Sequence, residues 1–183
     1  LDSLRKQQPA LVDEVVPKMF TIGEVQKVLS NLLRENISIR DIGSILEIMA
    51  DYGMITKDTE ILTEHVRQKL RRAITRSFLP DGKGRVITIS PDVEKAVSAS
   101  IRQTEQGAYA MLEPTQIQKL LSNMKKAVGN ALSLGITPIV ITSPQIRRHI
   151  KNLSAQVYPD LVVLSYNELE QDVQISSDWV VSL

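Results

Sequence analysis

Asp81-Gly-Lys-Gly-Arg-Val-Ile-Thr-Ile-Ser-Pro91 separates two kinds of sequence periodicity. Its first four residues are the one short stretch dense in turn formers, and Arg85–Ile89 then reads as a strand rich in β-branched residues. Ser90 followed by Pro91 is a helix N-cap with proline at the first helical position. Upstream of this stretch the apolar residues recur with the helical period, and downstream strands and helices alternate. The expected organisation is therefore a helical domain over residues 1–80 followed by a small α/β sheet domain over residues 81–183.

In the helical part, Thr21 with Glu24 three residues later forms a capping box. Val25, Val28, Leu29, Leu32 and Leu33 then share one face of a helix from Thr21 to Glu35. After the Asn36-Ile37 turn, Ser38 is placed to cap a second helix, with Ile42, Ile45, Leu46 and Met49 inward and Gly53 at its end. Its expected exposed face carries Arg40, Asp41 and Glu47. A longer helix follows Lys57-Asp58-Thr59 and stops before Pro80, with Leu62, Val66, Leu70, Ala73 and Ile74 inward. Arg67, Lys69, Arg71, Arg72 and Arg76 belong to its expected outer face. The opening residues Leu1–Val16 are helical, interrupted at Pro9 and closed by Pro17.

In the second part, the helix opened by Pro91 runs along Val93, Val97 and Ile101, and Thr104–Met111 is small and polar and reads as a loop. Pro114 opens a long helix with Ile117, Leu120, Leu121, Met124, Val128, Ala131 and Leu132 on one face, ended by Gly135. Pro138–Thr142 and Leu161–Ser165 are buried strands, and Ser143-Pro144 starts a helix between them with Ile146, Ile150 and Leu153 inward. The tail, Val173–Val181, alternates weakly, as an edge strand does.

Composition excludes several functions. The 22 Lys+Arg against 21 Asp+Glu give a net charge of +1, without the basic field that non-specific nucleic-acid or membrane-surface binding requires. With no cysteine there is no disulfide, thiolate metal site or cysteine nucleophile. No apolar run approaches the ~20 residues of a membrane span. The chain begins Leu-Asp-Ser-Leu-Arg-Lys, without a start methionine or a signal peptide, and reads as a piece of something longer. From Pro114 to Lys151 lie six basic residues and no acid, while residues 152–183 hold five acids and no base. These read as complementary solvated faces.

The sequence holds little that resembles catalytic or ligand-binding chemistry. Asp81-Gly-Lys-Gly-Arg85 lacks the P-loop spacing and precedes a strand instead of following one. His65 and His149 lack the nearby partners of a metal site and read as surface residues. Ser122 and Lys125 match Ser-x-x-Lys spacing, but in mid-helix with no partner motif. The acids of the last stretch read as solubility charge. No cofactor, metal or catalytic residue is assigned. The first two helices of the capped series resemble helix-turn-helix, which makes a nucleic-acid-binding regulator the alternative. The mixed signs of Arg40, Asp41 and Glu47 on the would-be recognition helix oppose it.

Pro9-Ala-Leu-Val-Asp-Glu-Val-Val-Pro17, Val25–Glu35 and Ile39-Arg-Asp-Ile-Gly-Ser-Ile-Leu-Glu47 resemble the cytoplasmic region of the flagellar and type III secretion export-gate proteins. Thr142-Ser-Pro-Gln-Ile-Arg147 and Pro159-Asp-Leu-Val-Val-Leu-Ser-Tyr-Asn-Glu-Leu169 resemble the end of that region. The family is the FHIPEP (FlhA/InvA) family, and the likeness is nearer its flagellar branch. The resemblance implies a non-enzymatic piece of an inner-membrane export gate, on its cytoplasmic face. Its implied partners are copies of itself in a nonameric ring, export chaperone–substrate complexes and other components of the export apparatus. It implies no nucleic-acid partner and no membrane span within these residues. The expected subunit or partner contacts are Arg40, Asp41, Glu47, Arg67, Arg71, Arg72 and Arg76. The family's chaperone-docking surface lies largely on subdomains outside this sequence, so its residues are not carried over.

Overall fold

A computed structural model describes residues 1–183, which divide into two compact units, Leu1–Ile74 and Thr75–Leu183. The first is all helix: α1 (Asp2–Gln7), α2 (Pro9–Val15), α3 (Ile22–Arg34), α4 (Ile42–Gly53), α5 (Thr59–Lys69) and the first half of α6 (Arg71–Phe78). Pro9 stands at the first position of α2, where its missing N–H costs nothing. The capping box of α3 is present, with Glu24 N donating to Thr21 Oγ1 at 3.1 Å and Thr21 N to Glu24 Oε2 at 2.8 Å. At the other end of α3, Asn36 takes φ 60°. Asn36 N then reaches Leu33 O and Ile37 N reaches Leu32 O, both at 3.0 Å, satisfying the last carbonyls.

Two helix limits of the first unit differ from the sequence reading, and in the second unit the helix expected from Ser143-Pro144 begins only at Arg147, with residues 144–146 forming a turn. Asp41, not Ser38, caps α4. Its carboxylate accepts from both Ser44 N and Ser44 Oγ, whereas Ser38 Oγ only accepts from Arg40 N in the approach. The single long helix expected after Asp58 is two helices, broken at Leu70. Ala73 is consequently exposed instead of inward. The core of this unit is built from Val12, Phe20, Val28, Leu32, Leu46 and Leu62 among others, each at most 1% exposed.

The second unit is a parallel sheet with covering helices. Its elements are β1 (Lys83–Ile89), α7 (Pro91–Ser100), β2 (Ile101–Thr104), β3 (Gly107–Ala110), α8 (Pro114–Ser133), β4 (Ile139–Thr142), α9 (Arg147–Ser154), β5 (Val162–Ser165) and β6 (Gln174–Val181). The strand order is β5-β4-β1-β6, all parallel, with β6 on the edge. All four residues of β4 are buried, as expected of a strand covered on both faces. The stretch expected as a loop after α7 is instead an antiparallel hairpin, β2–β3, pairing Ile101 with Ala110 and Thr104 with Gly107. Gly107 at φ 121° allows the tight return.

The turn at Asp81–Gly84, the expected boundary, lies inside the second unit. The second half of α6 is tied there. Thr75 Oγ1 donates to Glu168 O at 3.2 Å and accepts from Glu170 N at 3.1 Å, and Leu79 lies close against Gly84. The fold is thus mixed α/β, a helical unit followed by an α/β unit.

Candidate interaction surface

The sequence-selected residues fall into different environments. Arg67 is buried at 1% exposure, contrary to its expected outward position, and its NH1 lies 3.1 Å from Glu35 Oε2. One turn earlier on each helix, Asn31 Nδ2 donates to Thr63 Oγ1 at 3.1 Å, and Thr63 Oγ1 donates to Thr59 O at 2.7 Å. Asn31 on α3 and Glu35, the residue that caps its C-terminus, thus face Thr63 and Arg67 on α5, a polar seam of matched spacing that sets the register of the two helices. Arg67 touches Glu35 within its own unit, so it is no surface contact.

Asp41 is exposed and serves as the N-cap of α4. The hydrogen bond from the Ser44 hydroxyl, and then that from the Ser44 N–H, hold its carboxyl below the usual value of 3.8. Arg40 and Glu47 are exposed and make no ion pair. On α6, Arg71, Arg72 and Arg76 are exposed while Ile74 and Thr75 face inward. Arg72 and Arg76 stand one turn apart with no acid on the helix, an arrangement of like charge that a partner's carboxylates would relieve. Arg40, Asp41 and Glu47 belong to the approach to α4 and to α4 itself, and Arg71, Arg72 and Arg76 to α6.

Arg147 and Glu168, taken as solvated charge, are buried, with Arg147 Nε 3.5 Å from Glu168 Oε1 and Arg147 NH1 donating to Val163 O at 3.0 Å. His149, expected on the surface, is 3% exposed. His65 stacks on Tyr52 with ring centroids 4.0 Å apart, and its burial lowers its pKa, partly opposed by Glu64. No three His, Asp or Glu side chains gather to hold a metal ion. Ser122 and Lys125 are both exposed on α8, and neither side chain makes a hydrogen bond.

The surface also carries apolar residues that helical periodicity assigns to the core or overlooks. Met54 and Ile55, between α4 and α5, are 85% and 76% exposed, and Leu132 and Leu134 are 56% and 58% exposed. The sequence signal for the first pair is their position just after Gly53, where the α4 stripe has ended.

A model of the FHIPEP family matches residues 1–174. The chain belongs to the FHIPEP family. Among its FHIPEP relatives is the flagellar biosynthesis protein FlhA of Bacillus subtilis, 40% identical over 100% of this chain and 27% of that protein. Among solved structures, the CdsV chain of the Chlamydia pneumoniae CdsV and CdsO complex superposes with a TM-score of 0.90 at 27% identity, over 99% of this chain and 53% of that one. The nonameric SctV-C of EPEC superposes with a TM-score of 0.85 at 28% identity, over 98% of this chain and 53% of that one. The chain spans about a quarter of the length of the curated FHIPEP relatives it matches. No helix is long and apolar enough to cross a membrane. Neither the fold nor these relatives favour the helix-turn-helix regulator.

Proposed function

We propose that this chain is a non-enzymatic module of a flagellar protein export gate that joins a ring of like subunits and docks export chaperone–substrate complexes. Its place is the cytoplasmic face of the bacterial inner membrane, as part of a membrane-embedded protein. The observation that carries the reading is the likeness, over 98% of this chain, to a protein solved as a nonamer. The 40% identity to a flagellar biosynthesis protein favours the flagellar branch over the injectisome branch. The relative solved with CdsO supports a further partner among the components of the export apparatus.

Ring closure by rotation needs two different, complementary patches on each subunit. The exposed Arg71, Arg72 and Arg76 supply one such patch, and Arg40, Asp41 and Glu47 a mixed one. Arg72→Glu combined with Arg76→Glu, in the full-length cytosolic region, should shift sedimentation toward the monomer. Sedimentation unchanged at high protein concentration removes the α6 face from the ring contact. Retention of export chaperones on the immobilised protein tests the docking half of the reading, and an empty result withdraws that half.

A further inference from the structure

The α/β unit carries an apolar groove where α8 ends and the chain approaches β4 and β5. Val128 and Leu132 of α8, Pro138 before β4, and Tyr158, Pro159 and Leu161 before β5 line a volume of about 240 Å³. That is below the roughly 300–1,000 Å³ of small-molecule sites, and fits one or two apolar side chains of a polypeptide. Both sides are held in place by the chain itself. Lys151 Nζ donates to Pro159 O and Leu161 O at 2.9 and 2.7 Å. Gly135, at φ 70°, and Ile136 close α8 by donating to Leu132 O and Ala131 O at 2.9 and 3.0 Å. A groove already formed binds without the cost of ordering its walls.

Charge selects the occupant. Lys119, Lys125 and Lys126 are exposed on α8 and make no ion pair, and the whole of Pro114–Lys151 contains no acid. Lys125 precedes Leu132 by two helical turns on the same stripe, about 10.5 Å along the axis at ~1.5 Å per residue. Asp160 is the one acid lining the groove, on the side away from α8's own residues. A segment lying along α8 therefore meets apolar contacts first and cations one to two turns further on. This is the pattern that an amphipathic helix with acidic flanks satisfies.

We propose that the groove docks an acidic amphipathic segment of a partner protein, its apolar side chains against Leu132 and Tyr158 and its carboxylates along Lys125 and Lys126. The proposal goes beyond the export-gate reading and does not depend on ring assembly. Its first test is read on the unassembled chain. The probe is a fluorescein-labelled amphipathic peptide with Leu at i, i+3, i+4 and i+7 and Glu at the flanking positions. Its counterpart with Lys for every Glu is the control. Anisotropy should rise with the Glu peptide only, weaken with added salt, and lose roughly tenfold in affinity in Lys125→Glu/Lys126→Glu. Leu132→Asp should abolish binding, with an unchanged circular dichroism spectrum because Leu132 is 56% exposed. No binding, equal binding of both peptides, or indifference to the lysine reversal overturns the proposal. A photo-crosslinker replacing Thr137, an exposed residue of the groove wall, in the full-length protein in cells gives the second measurement. Capture of an acid-bearing amphipathic segment supports the site. Capture of a second copy of this chain, of a segment without acids, or of nothing overturns it, whatever the ring measurement shows.

Discussion

Replacing Arg147 by Met should destabilise the α/β unit more than any exposed charge substitution. The substitution keeps most of the apolar stem and removes a guanidinium that is 1% exposed, leaving Glu168, 0% exposed, without the cation 3.5 Å from its carboxylate. Removing one member of a buried ion pair costs about 3–5 kcal/mol, because the remaining charge stays out of water. Removing both charges is far less costly, since a buried pair exchanged for neutral groups is often close to neutral. Arg147→Met with Glu168→Gln should therefore lose no more than about 2 kcal/mol, a residue of the hydrogen bond to Val163 O. Glu168 also holds Thr75 through its backbone carbonyl, which the side-chain change leaves in place. Equilibrium urea unfolding read by Trp179, the single tryptophan, isolates this unit because β6 belongs to it. With an m-value of about 2 kcal/mol/M, the single variant should move the midpoint down by about 1.5–2.5 M. A shift under about 0.5 M, or a double variant as unstable as the sum of the singles, would show that the two side chains are not coupled and refute the reasoning.

Two further outcomes follow from the helical unit. Asp41→Ala should cost about 1 kcal/mol as the loss of an N-cap, and the penalty should depend on pH. The carboxyl of Asp41 lies lower in the fold than its ordinary 3.8, so its contribution is full above that value and is lost as pH falls through the folded pKa. Thermal melts of wild type and Asp41→Ala should therefore stay a constant interval apart from neutral pH to about pH 4 and converge on further acidification. A gap that persists at the acid end contradicts the charge-assisted cap. Gly53→Ala should destabilise although alanine is the better helix former by about 1 kcal/mol, because its Cβ would come within 2.5 Å of Met19 Sδ and 2.9 Å of the Phe20 ring. Overpacking of about 1–3 kcal/mol exceeds the propensity gain at a helix end, and a circular-dichroism melt at or above the wild-type midpoint would show that Met19 and Phe20 yield freely.

The elements that were legible from sequence are those with a local cause. The Thr21–Glu24 box satisfies free amides at the start of α3, Pro91 and Pro114 stand at first helical positions where no N–H is needed, and Gly135 supplies the positive φ that closes α8, so α3, α7 and α8 lie where the pattern puts them. Where two local causes compete, the sequence does not rank them. Ser38 and Asp41 both suit a cap, and Asp41 prevails because a carboxylate accepts from the Ser44 amide and hydroxyl together. The break at Leu70 has no glycine or proline to announce it. The β2–β3 hairpin is equally silent, because Arg102, Gln103 and Ala108 are poor strand formers held by pairing across the turn.

The interaction surface was less legible, for a reason that Arg67 makes plain. On a helical wheel, an arginine beside an apolar stripe looks solvated, and nothing within α5 shows that Glu35 waits at the C-terminal end of α3. The same holds for Arg147, whose carboxylate partner is twenty-one residues away beyond β5. Burial therefore sorts a nearly neutral sequence into two populations of charge. Arg67 and Arg147 are paired inside the units, while Arg72, Arg76, Lys125 and Lys126 are exposed and make no ion pair. Only the second population has anything to offer a partner, since an exposed cation keeps its field and a paired buried one is already neutralised. Loss of assembly in an Arg67 variant would thus report a broken α3–α5 seam, whereas the same loss in an Arg72 variant, with the fold intact, reports a contact.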